Sequence, residues 1–418
     1  MQIEAVGVQL PGSGGARLVI FVRLRADDAL PAQPRPPAHL ALALDASSSM
    51  GGPPLAAALD ATRKLTERLG PQDRLGVVVF DREASVVFRP QSMTEEAKAK
   101  LIGRLAAIRP GLGTNLSAGY RAAAELLASA YVLNARPRVL LLTDGYPSVG
   151  QIDPSRFDAT AKELLGRGIA TSTIGFGTGY DEELLRAVAR AGDGVYHFVA
   201  DPADLAGVLA EELRASQEIE ATGTTIKIQP GPSLMALELL HRYPTRAEAD
   251  GLVVEVGTVG RLGPRRLLFE ARASAQGGSE LARLRAGWTP MGGESLGGAV
   301  LPVALKDDLA PELRAEIQCE DLMLSLARAE TAVWERLARG DRAGAGHQLD
   351  EAEARLRDLE APSLLPAEEV ASHRARLSDA REVIAGRLDE EAARRRSRSV
   401  IDATTVSRVS GVFRLDDD

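Results

Sequence analysis

The first 30 residues carry the apolar pattern of two β-strands. Apolar and polar side chains alternate in IEAVGV at 3–8, and the run ARLVIFVRLRA at 16–26 is rich in strand-forming residues. The cluster PGSGG between the two runs is typical of a turn. Residues 1–30 are therefore predicted to form two strands, and the proline-rich stretch 30–38 is predicted to be an extended linker.

The pattern changes between residues 39 and 216, where short apolar runs alternate with stretches of helical spacing. Runs such as HLALAL at 39–44 and PRVLLLT at 137–143 are almost continuously apolar, which is typical of strands buried on both faces of a parallel sheet. The alternation predicts an α/β, doubly wound domain with a mostly parallel sheet over 39–216. Its predicted helices cover 54–69, 94–105, 116–129, 155–167, 181–191 and 202–216.

Residues 217–303 lack helical spacing and carry β-rich runs separated by glycine-containing turns. This pattern predicts an antiparallel β-domain. Because the first two strands have no place in the α/β unit, we predict that residues 1–30 join this β-domain. The doubly wound sheet would then be inserted in, or flanked by, an antiparallel β-sandwich.

Residues 305–397 are rich in Ala, Leu, Glu and Arg at helical spacing, with breaks at three glycines (340, 344 and 346) and at 361–366. Three helices are predicted here. The segment 332–356 resembles one helix–turn–helix unit of the tetratricopeptide type, but a repeat array needs about three copies. A plain helical hairpin or bundle is the other interpretation. The tail, residues 398–418, is predicted to be flexible.

Composition narrows the class of protein. The formal net charge of −8 over 418 residues argues against a nucleic-acid-binding surface. The single cysteine, Cys319, excludes an intramolecular disulfide and fits a reducing compartment. We read no signal peptide, and no run approaches the roughly 18 apolar residues of a membrane span. A cytoplasmic protein is therefore predicted.

Oxygen-bearing side chains gather where the predicted strands end. Asp45, Ser47 and Ser49 form the pattern D-x-S-x-S after one strand, Asp144 directly follows another, and Thr114 lies in a glycine-flanked loop before a helix. In a doubly wound sheet such loops meet at one edge. Oxygen donors without histidine or cysteine favour Mg²⁺, Mn²⁺ or Ca²⁺. Helix capping is the competing interpretation of the serines.

Other motifs do not indicate an enzyme. The sequence GFGTGY at 175–180 lacks the third glycine of a dinucleotide-binding loop, and no G-x-x-x-x-G-K-[ST] phosphate loop is present. No two histidines share i,i+4 spacing. We therefore predict no catalytic residues and no enzymatic activity. The histidines, predicted to be structural or at the surface, are His39, His197, His241, His347 and His373.

The D-x-S-x-S motif, the threonine of GTNLSAG and the aspartate of LLTDG resemble the metal-ion-dependent adhesion site (MIDAS) of a von Willebrand factor A (VWA) domain. The resemblance covers about 39–216 and is closest to bacterial cytoplasmic members. It implies that Ser47, Ser49 and Thr114 coordinate Mg²⁺ through their hydroxyls, with Ca²⁺ or Mn²⁺ as substitutes. Asp45 and Asp144 would act largely through bound waters or hydrogen bonds.

The resemblance also implies a function. Neutral hydroxyl ligands leave the ion poorly neutralised, so an Asp or Glu of a partner protein would complete its coordination. The chain would then be a non-enzymatic adaptor, and AAA+ ATPases of the MoxR class or signalling complexes are the partners that the resemblance implies. The alternative is a structural scaffold in which the metal only stabilises the fold and the helical region is the main interaction surface.

Overall fold

The computed structural model describes most of the chain, and the predicted tail 398–418 lies outside the described residues. The chain divides into two compact units. One comprises Met1–Ala29 together with Glu220–Asp418, and the other comprises Leu30–Ile219. The described residues are 1–12, 15–26, 35–130, 132, 135–177, 179–199, 201–241, 243–260, 264–274, 280–290, 297–360 and 367–388.

The described residues contain fifteen strands and nine α-helices. The strands are β1 (Gln2–Gly12), β2 (Gly15–Arg25), β3 (His39–Asp45), β4 (Arg74–Phe80), β5 (Ala84–Phe88), β6 (Pro137–Thr143), β7 (Ala170–Phe176), β8 (Tyr196–Val199), β9 (Ile219–Pro230), β10 (Leu234–Leu239), β11 (Thr245–Glu248), β12 (Gly251–Gly260), β13 (Arg265–Ala273), β14 (Glu280–Pro290) and β15 (Gly297–Ala304). The helices are α1 (Pro53–Arg68), α2 (Glu95–Leu105), α3 (Leu116–Ala128), α4 (Pro154–Gly166), α5 (Glu182–Ala191), α6 (Leu205–Gln217), α7 (Pro311–Ala338), α8 (Arg342–Glu360) and α9 (Ala367–Ile384). Short 3₁₀ helices at Ser48–Met50 and Pro202–Asp204 precede α1 and α6.

The α/β unit is built on a six-stranded sheet of order β5-β4-β3-β6-β7-β8. Its strand pairs are parallel except for the antiparallel pair of β4 and β5. All seven residues of β3 are buried, because the strand has neighbours on both edges and helices cover the sheet. The chain leaves β3 towards β4 and leaves β6 towards β7, so the carboxyl ends of β3 and β6 flank the topological switch point.

Side-chain caps place the helices of this unit. The Asn115 side chain accepts a hydrogen bond from the Ala118 N–H at the start of α3, and the Asp181 side chain does the same for Leu184 in α5. Each cap satisfies an amide that the helix itself leaves without a partner. Helix α3 therefore begins at Leu116, directly after its cap Asn115 and two residues after Thr114.

The other unit is an antiparallel β-sandwich. A four-stranded sheet of order β1-β2-β13-β10 packs against a five-stranded sheet of order β11-β12-β9-β14-β15. The two sheets share a core in which Ile20 and Phe269 of one meet Ile228 and Leu284 of the other. Because β2 pairs with β13, strands that precede and follow the α/β unit in the sequence complete one sheet.

Strand β2 is buried on both faces, and its alternate side chains serve two cores. Ile20 and Val22 face the sandwich interior, whereas Val19 and Phe21 join a second cluster with Ile317 and Leu324 of α7. Successive side chains of a strand point to opposite faces. The continuous apolar run of β2 therefore reflects a sheet that is covered by a second sheet on one side and by α7 on the other.

The three C-terminal helices pack around an apolar core that includes Val333, Leu349 and Leu377. The short turn between α7 and α8 makes these two helices an antiparallel hairpin. The Arg355 side chain of α8 donates a hydrogen bond to the Ser325 hydroxyl of α7 across it. The break predicted at three glycines occurs at only one of them. Gly340 takes the left-handed φ of 76° that ends α7, whereas glycines 344 and 346 lie inside α8, which Asp341 caps through the Gly344 N–H.

The predicted fold class is confirmed: a doubly wound, mostly parallel α/β sheet, an antiparallel β-sandwich and a C-terminal helical bundle. Among the residues that the structure describes, no helix combines the length and the apolarity required to cross a bilayer.

Candidate metal centre

Asp45 ends β3, and its buried carboxylate is held at both oxygens. Oδ1 accepts a hydrogen bond of 2.8 Å from the Ser47 N–H, and Oδ2 accepts one of 2.5 Å from the Thr143 hydroxyl on the neighbouring strand β6. Burial raises the pKa of Asp45 to about 6, against the opposing effect of these hydrogen bonds. The side chain is therefore fixed in orientation but lacks compensating charge.

Both serines of the motif and Asp144 form one hydrogen-bonded chain. The hydroxyl oxygens of Ser47 and Ser49 are 2.9 Å apart, and the Ser49 hydroxyl donates to Oδ1 of Asp144 at 2.6 Å. Burial also raises the pKa of Asp144. This series of hydrogen bonds spans the switch point, since it runs from the loop after β3 to the residue after β6.

The serines do not act as helix caps. Ser47 occupies the N-cap position of the 3₁₀ helix Ser48–Met50, but its side chain makes no capping hydrogen bond. Helix α1 starts instead with Gly52 at the N-cap and proline at its first position, and proline has no N–H that needs a cap. The capping interpretation is therefore not supported, and the hydroxyls are directed at each other and at Asp144.

Thr114 reaches the same place from a third loop. A Cβ built on Gly145 would lie 3.6 Å from the Ser49 Oγ and 3.6 Å from the Thr114 Oγ1, so both hydroxyls border the small space beside this glycine. The Thr114 N–H donates to the Ser148 hydroxyl at 2.9 Å, and the Ser148 N–H donates back to the Thr114 carbonyl at 3.0 Å. This reciprocal pair fixes the threonine loop against the loop after β6.

Asn115 joins the threonine loop to a further part of the sheet edge. Its side chain donates to the Arg82 carbonyl at 3.0 Å, and its backbone N–H donates to the Asp81 carbonyl at 2.6 Å. These carbonyls belong to the turn between β4 and β5. The site is therefore supported from the ends of β3, β4 and β6 together.

The five predicted site residues lie close together, and their chemistry fits a hard divalent cation. They contribute three hydroxyls and two carboxylates, all oxygen donors. No described Lys, Arg or His side chain forms an ion pair with Asp45 or Asp144. Burial raises the pKa of both Asp45 and Asp144, and no neighbouring cation in the described residues opposes this effect. A bound metal ion would supply the missing positive charge.

Among the described residues, no three His, Cys, Asp or Glu side chains lie together in a group that could hold a metal ion. Most of the oxygen donors of this centre are hydroxyls. The two carboxylates alone would be a weak site for a divalent cation, so the fit depends on Ser47, Ser49 and Thr114.

Two supporting residues were missed at the level of sequence. Thr143 donates to the Asp45 carboxylate, and Ser148 accepts from the Thr114 N–H. The position of Thr143, immediately before Asp144 in LLTDG, could have indicated this role. Side chains at the ends of adjacent strands can meet across the sheet. Ser148 lies in an irregular loop whose course the sequence pattern does not specify.

The histidines lie outside this group of residues. His197 pairs with Glu212 inside the α/β unit, while His241 and His373 pair with Glu320 and Glu330 in the other unit. His347 is exposed. The remaining one, His39, is fully buried at the start of β3, and neither ring nitrogen has a hydrogen-bond partner among the described residues.

The α/β unit matches a known domain family. Residues 39–211 fit the sequence profile of the von Willebrand factor type A domain, and the motif, sheet order and loop geometry agree with that assignment. The chain contains a VWA domain. Domains of this family generally mediate protein–protein interaction.

Curated relatives match the chain over the VWA domain and over only part of their own length. An uncharacterised protein of Synechocystis sp. is 28% identical over 218 residues, which is 52% of this chain and 50% of that protein. Inter-alpha-trypsin inhibitor heavy chain H4 of Homo sapiens is 26% identical over 195 residues, or 44% of this chain and 20% of that protein. The chain thus spans half or less of the length of these two relatives.

Two solved structures are similar over nearly the whole chain. The von Willebrand factor type A protein from Catenulispora acidiphila has a TM-score of 0.66 at 17% identity and 96% coverage of both chains. The ArnB paralog VWA2 from Sulfolobus acidocaldarius has a TM-score of 0.57 at 15% identity, covering 96% of this chain and 97% of that one. At these identities the likeness shows a shared fold.

Proposed function

We propose that the VWA domain binds a protein partner through a divalent cation held at the switch point of its sheet. Ser47, Ser49 and Thr114 would supply hydroxyl ligands, and Asp45 and Asp144 would act through water or hydrogen bonds. The observation that carries the proposal is the hydrogen-bonded series Ser47–Ser49–Asp144, which the Thr114 hydroxyl approaches beside Gly145 and the Asp45 carboxylate joins through the Ser47 N–H. Neither carboxylate has a cationic partner among the described residues.

The donor set explains why a partner would be captured. Three neutral hydroxyls leave most of the charge of a divalent ion uncompensated, so a carboxylate from another molecule is a favourable additional ligand. Helix α3 begins at Leu116, two residues after Thr114. Its amino end carries the positive pole of the helix dipole. Both effects favour an incoming Asp or Glu.

Mg²⁺ is the proposed ion, with Ca²⁺ or Mn²⁺ able to replace it. Mg²⁺ keeps several of its waters and binds readily at sites that supply few protein ligands. No general base stands among the described side chains of the centre apart from its two carboxylates, whose oxygens accept hydrogen bonds from Ser47, Ser49 and Thr143. We therefore propose a binding protein and not a hydrolase.

The wider setting remains part of the proposal. We propose a cytoplasmic bacterial adaptor that binds no nucleic acid, with an AAA+ ATPase of the MoxR class or a signalling complex as its partner. This rests on the resemblance of the motif and on the acidic net charge of −8.

A scaffold function is the second candidate, and one feature of the other unit favours it. A cleft of about 340 Å³ opens beside α7, a volume at the lower end of ligand pockets that would admit one or two side chains of a partner. In that case the metal would only stabilise the VWA domain, and the helical region would bind the partner. The cleft is lined by Arg17, Leu240, Asp321, Arg328, Gln348 and Glu351, among others.

Calorimetric titration with Mg²⁺ tests the metal. Wild type should bind one ion, and the double variant Ser47→Ala, Ser49→Ala should lose measurable binding. Ser129→Ala, which removes a serine hydroxyl at the far end of α3, is the matched control and should titrate like wild type. A wild type that gives no saturable heat, or a double variant that titrates like the control, would contradict the proposal.

Affinity purification from cell extract, divided between Mg²⁺ and chelator, tests partner capture. The proposal expects partners that are recovered in Mg²⁺ and lost with chelator, and mass spectrometry then identifies the class of partner. The scaffold candidate expects recovery that chelator does not change, together with an Asp45→Ala variant that melts earlier yet keeps its partner. That combination of results would remove the metal from the mechanism.

A further inference from the structure

Exposed apolar side chains are concentrated around the metal centre. Leu112, Tyr146 and Ile152 are 70%, 61% and 59% exposed. They make up half of the six large apolar side chains that stand exposed among the described residues; the others are Val86 on β5, Met235 on β10 and Val300 on β15. Single exposed apolar residues are ordinary, but three in the loops of one site indicate an interaction surface.

Tyr146 stands next to the centre. It directly follows Gly145, and a Cβ built on that glycine would lie 3.6 Å from the hydroxyl oxygens of both Ser49 and Thr114. The preceding residue, Asp144, accepts the Ser49 hydrogen bond. Tyr146 is thus the next residue in the chain after the glycine that borders two of the proposed ligands.

Leu112 lies on the loop between α2 and α3. Gly111, the residue before it, donates its N–H to the Ala46 carbonyl at 2.6 Å, and Ala46 is the residue after Asp45. Thr114 follows two positions later. The leucine is therefore carried by a short loop that is tied to the D-x-S-x-S segment at one end and to the metal centre at the other.

Leu112, Tyr146 and Ile152 together are called the apolar rim of the centre, and the backbone next to Ile152 is hydrogen-bonded to the start of α3. The Gln151 N–H donates to the Ser117 hydroxyl at 3.1 Å, in the first turn of that helix. A Cβ on Gly150 would lie 2.3 Å from the Asn115 Oδ1, so the backbone before the isoleucine packs closely on the helix cap. The loop is thereby held in place while the side chain of Ile152 stays exposed.

These contacts show that the rim is built on fixed backbone. Two loops carry these three side chains, one between α2 and α3 and one between β6 and α4. Both loops are anchored by hydrogen bonds of their backbone to each other, to Ala46 or to α3, yet the three apolar side chains are exposed. Anchored apolar side chains lose little conformational freedom when a partner covers them. A partner that offered only a carboxylate would leave the side chains of Leu112, Tyr146 and Ile152 exposed to water.

We infer that the metal centre recognises an acidic side chain in an apolar context: a segment of a partner protein whose Asp or Glu is flanked by aliphatic or aromatic residues, which cover Leu112, Tyr146 and Ile152. The inference rests on the proposed function, because the carboxylate is the group that the cation attracts. The rim adds specificity, since a carboxylate alone would not distinguish one acidic protein from another.

A displayed library of short peptides with one fixed glutamate tests the inference. Selection on wild type in Mg²⁺ should enrich aliphatic and aromatic residues beside the glutamate. The triple variant Leu112→Ser, Tyr146→Ser, Ile152→Ser should bind the selected peptides at least about tenfold more weakly, as expected when central apolar contacts are removed. Its calorimetric titration with Mg²⁺ should equal that of wild type.

The double variant Val86→Ser, Met235→Ser is the matched control, because it removes exposed apolar side chains that lie on strands β5 and β10 and not in the two loops of the rim. It should bind the selected peptides like wild type. Selected peptides with polar flanks, or equal binding by the triple variant, would overturn the inference while leaving the metal proposal intact. If no peptide is selected in a Mg²⁺-dependent way, the proposed function fails first.

A second copy of this chain is the competing occupant of the rim. Sedimentation in Mg²⁺ distinguishes it: a monomer that the triple variant does not change supports a partner segment. A Mg²⁺-dependent dimer that the triple variant abolishes would assign the rim to self-association and overturn the inference.

Discussion

The hydroxyl of Thr143 donates a 2.5 Å hydrogen bond to Oδ2 of Asp45, joining the last residues of two adjacent strands. The same hydroxyl accepts the Gly145 N–H at 3.2 Å. One side chain thus orients the buried carboxylate and the turn that carries Asp144. Thr143 is not one of the five proposed site residues, so its contribution to the site is positional.

Replacing Thr143 by valine should weaken Mg²⁺ binding by about 10- to 100-fold, the usual effect of removing a hydrogen bond that orients a metal-site side chain. Valine keeps the shape but leaves a buried carboxylate oxygen without its donor, which should cost roughly 1–3 kcal/mol of stability. Calorimetric titration and urea unfolding measure the two effects. Thr143→Ser keeps the hydroxyl and should bind nearly like wild type; equal loss in both variants would contradict a role for the hydroxyl.

Gly145→Ala should separate binding from folding. The added Cβ would lie 3.6 Å from the hydroxyl oxygens of Ser49 and Thr114, an ordinary contact distance, so the melting temperature should stay close to that of wild type. The methyl group would nevertheless occupy the space beside both proposed ligands, and metal-dependent capture of a partner should fall. Thermal melting combined with a Mg²⁺-dependent pull-down checks this. Undiminished capture by the alanine variant would place the ion elsewhere.

Gly119→Ala should destabilise the VWA domain although alanine is the better helix former. A Cβ at this position of α3 would lie 2.2 Å from the Phe80 ring in the core, and such overpacking costs about 1–3 kcal/mol. The control is Gly103→Ala in α2, where a Cβ would meet no atom within 4 Å. That variant should gain roughly 0.5–1 kcal/mol from helix propensity alone. Urea unfolding should therefore show opposite signs, and two stabilised variants would contradict the packing seen at Phe80.

The stability of the VWA domain should depend on pH through His39. Burial, with the nearby charge of Arg74, lowers the pKa of this histidine from 6.5 to about 4. As the pH falls below 6.5 the unfolded chain takes up a proton that the folded chain resists, so stability declines down to pH 4, by about 3 kcal/mol. His39→Leu should remove that part of the decline in urea unfolding, whereas His347→Leu, at an exposed position, should not. Parallel pH profiles of wild type and His39→Leu would rule the histidine out.

The architecture of the site region follows from short-range pattern. Continuous apolar runs identified the buried strands, and polar residues at their ends identified the loops that meet at the switch point. Because parallel strands align their carboxyl ends, Asp45 and Asp144 had to approach each other once both strands were recognised. The role of a metal at these residues stays a prediction.

Other features depend on contacts that a local pattern does not contain. The sequence predicted a break at three glycines, but only Gly340 needs the left-handed conformation, and the neighbouring glycines continue the helix once Asp341 caps it. The anchoring by Ser148 depends on the path of an irregular loop. The exposure of Tyr146 and Leu112 depends on which loops are tied to which, and hydrophobicity alone would have predicted burial.

The pairing of β2 with β13 has a consequence for the order of folding. Phe21 lies opposite Leu268 in this pair, and the entire VWA domain is synthesised between them. On the ribosome the hairpin of β1 and β2 emerges first and keeps one edge unpaired while the VWA domain emerges and folds by its own, more local contacts. The sandwich closes only after β13 has emerged. The strands synthesised before the VWA domain are thus completed only after it, and the apolar strand β2 depends on prompt arrival of distant sequence to escape aggregation.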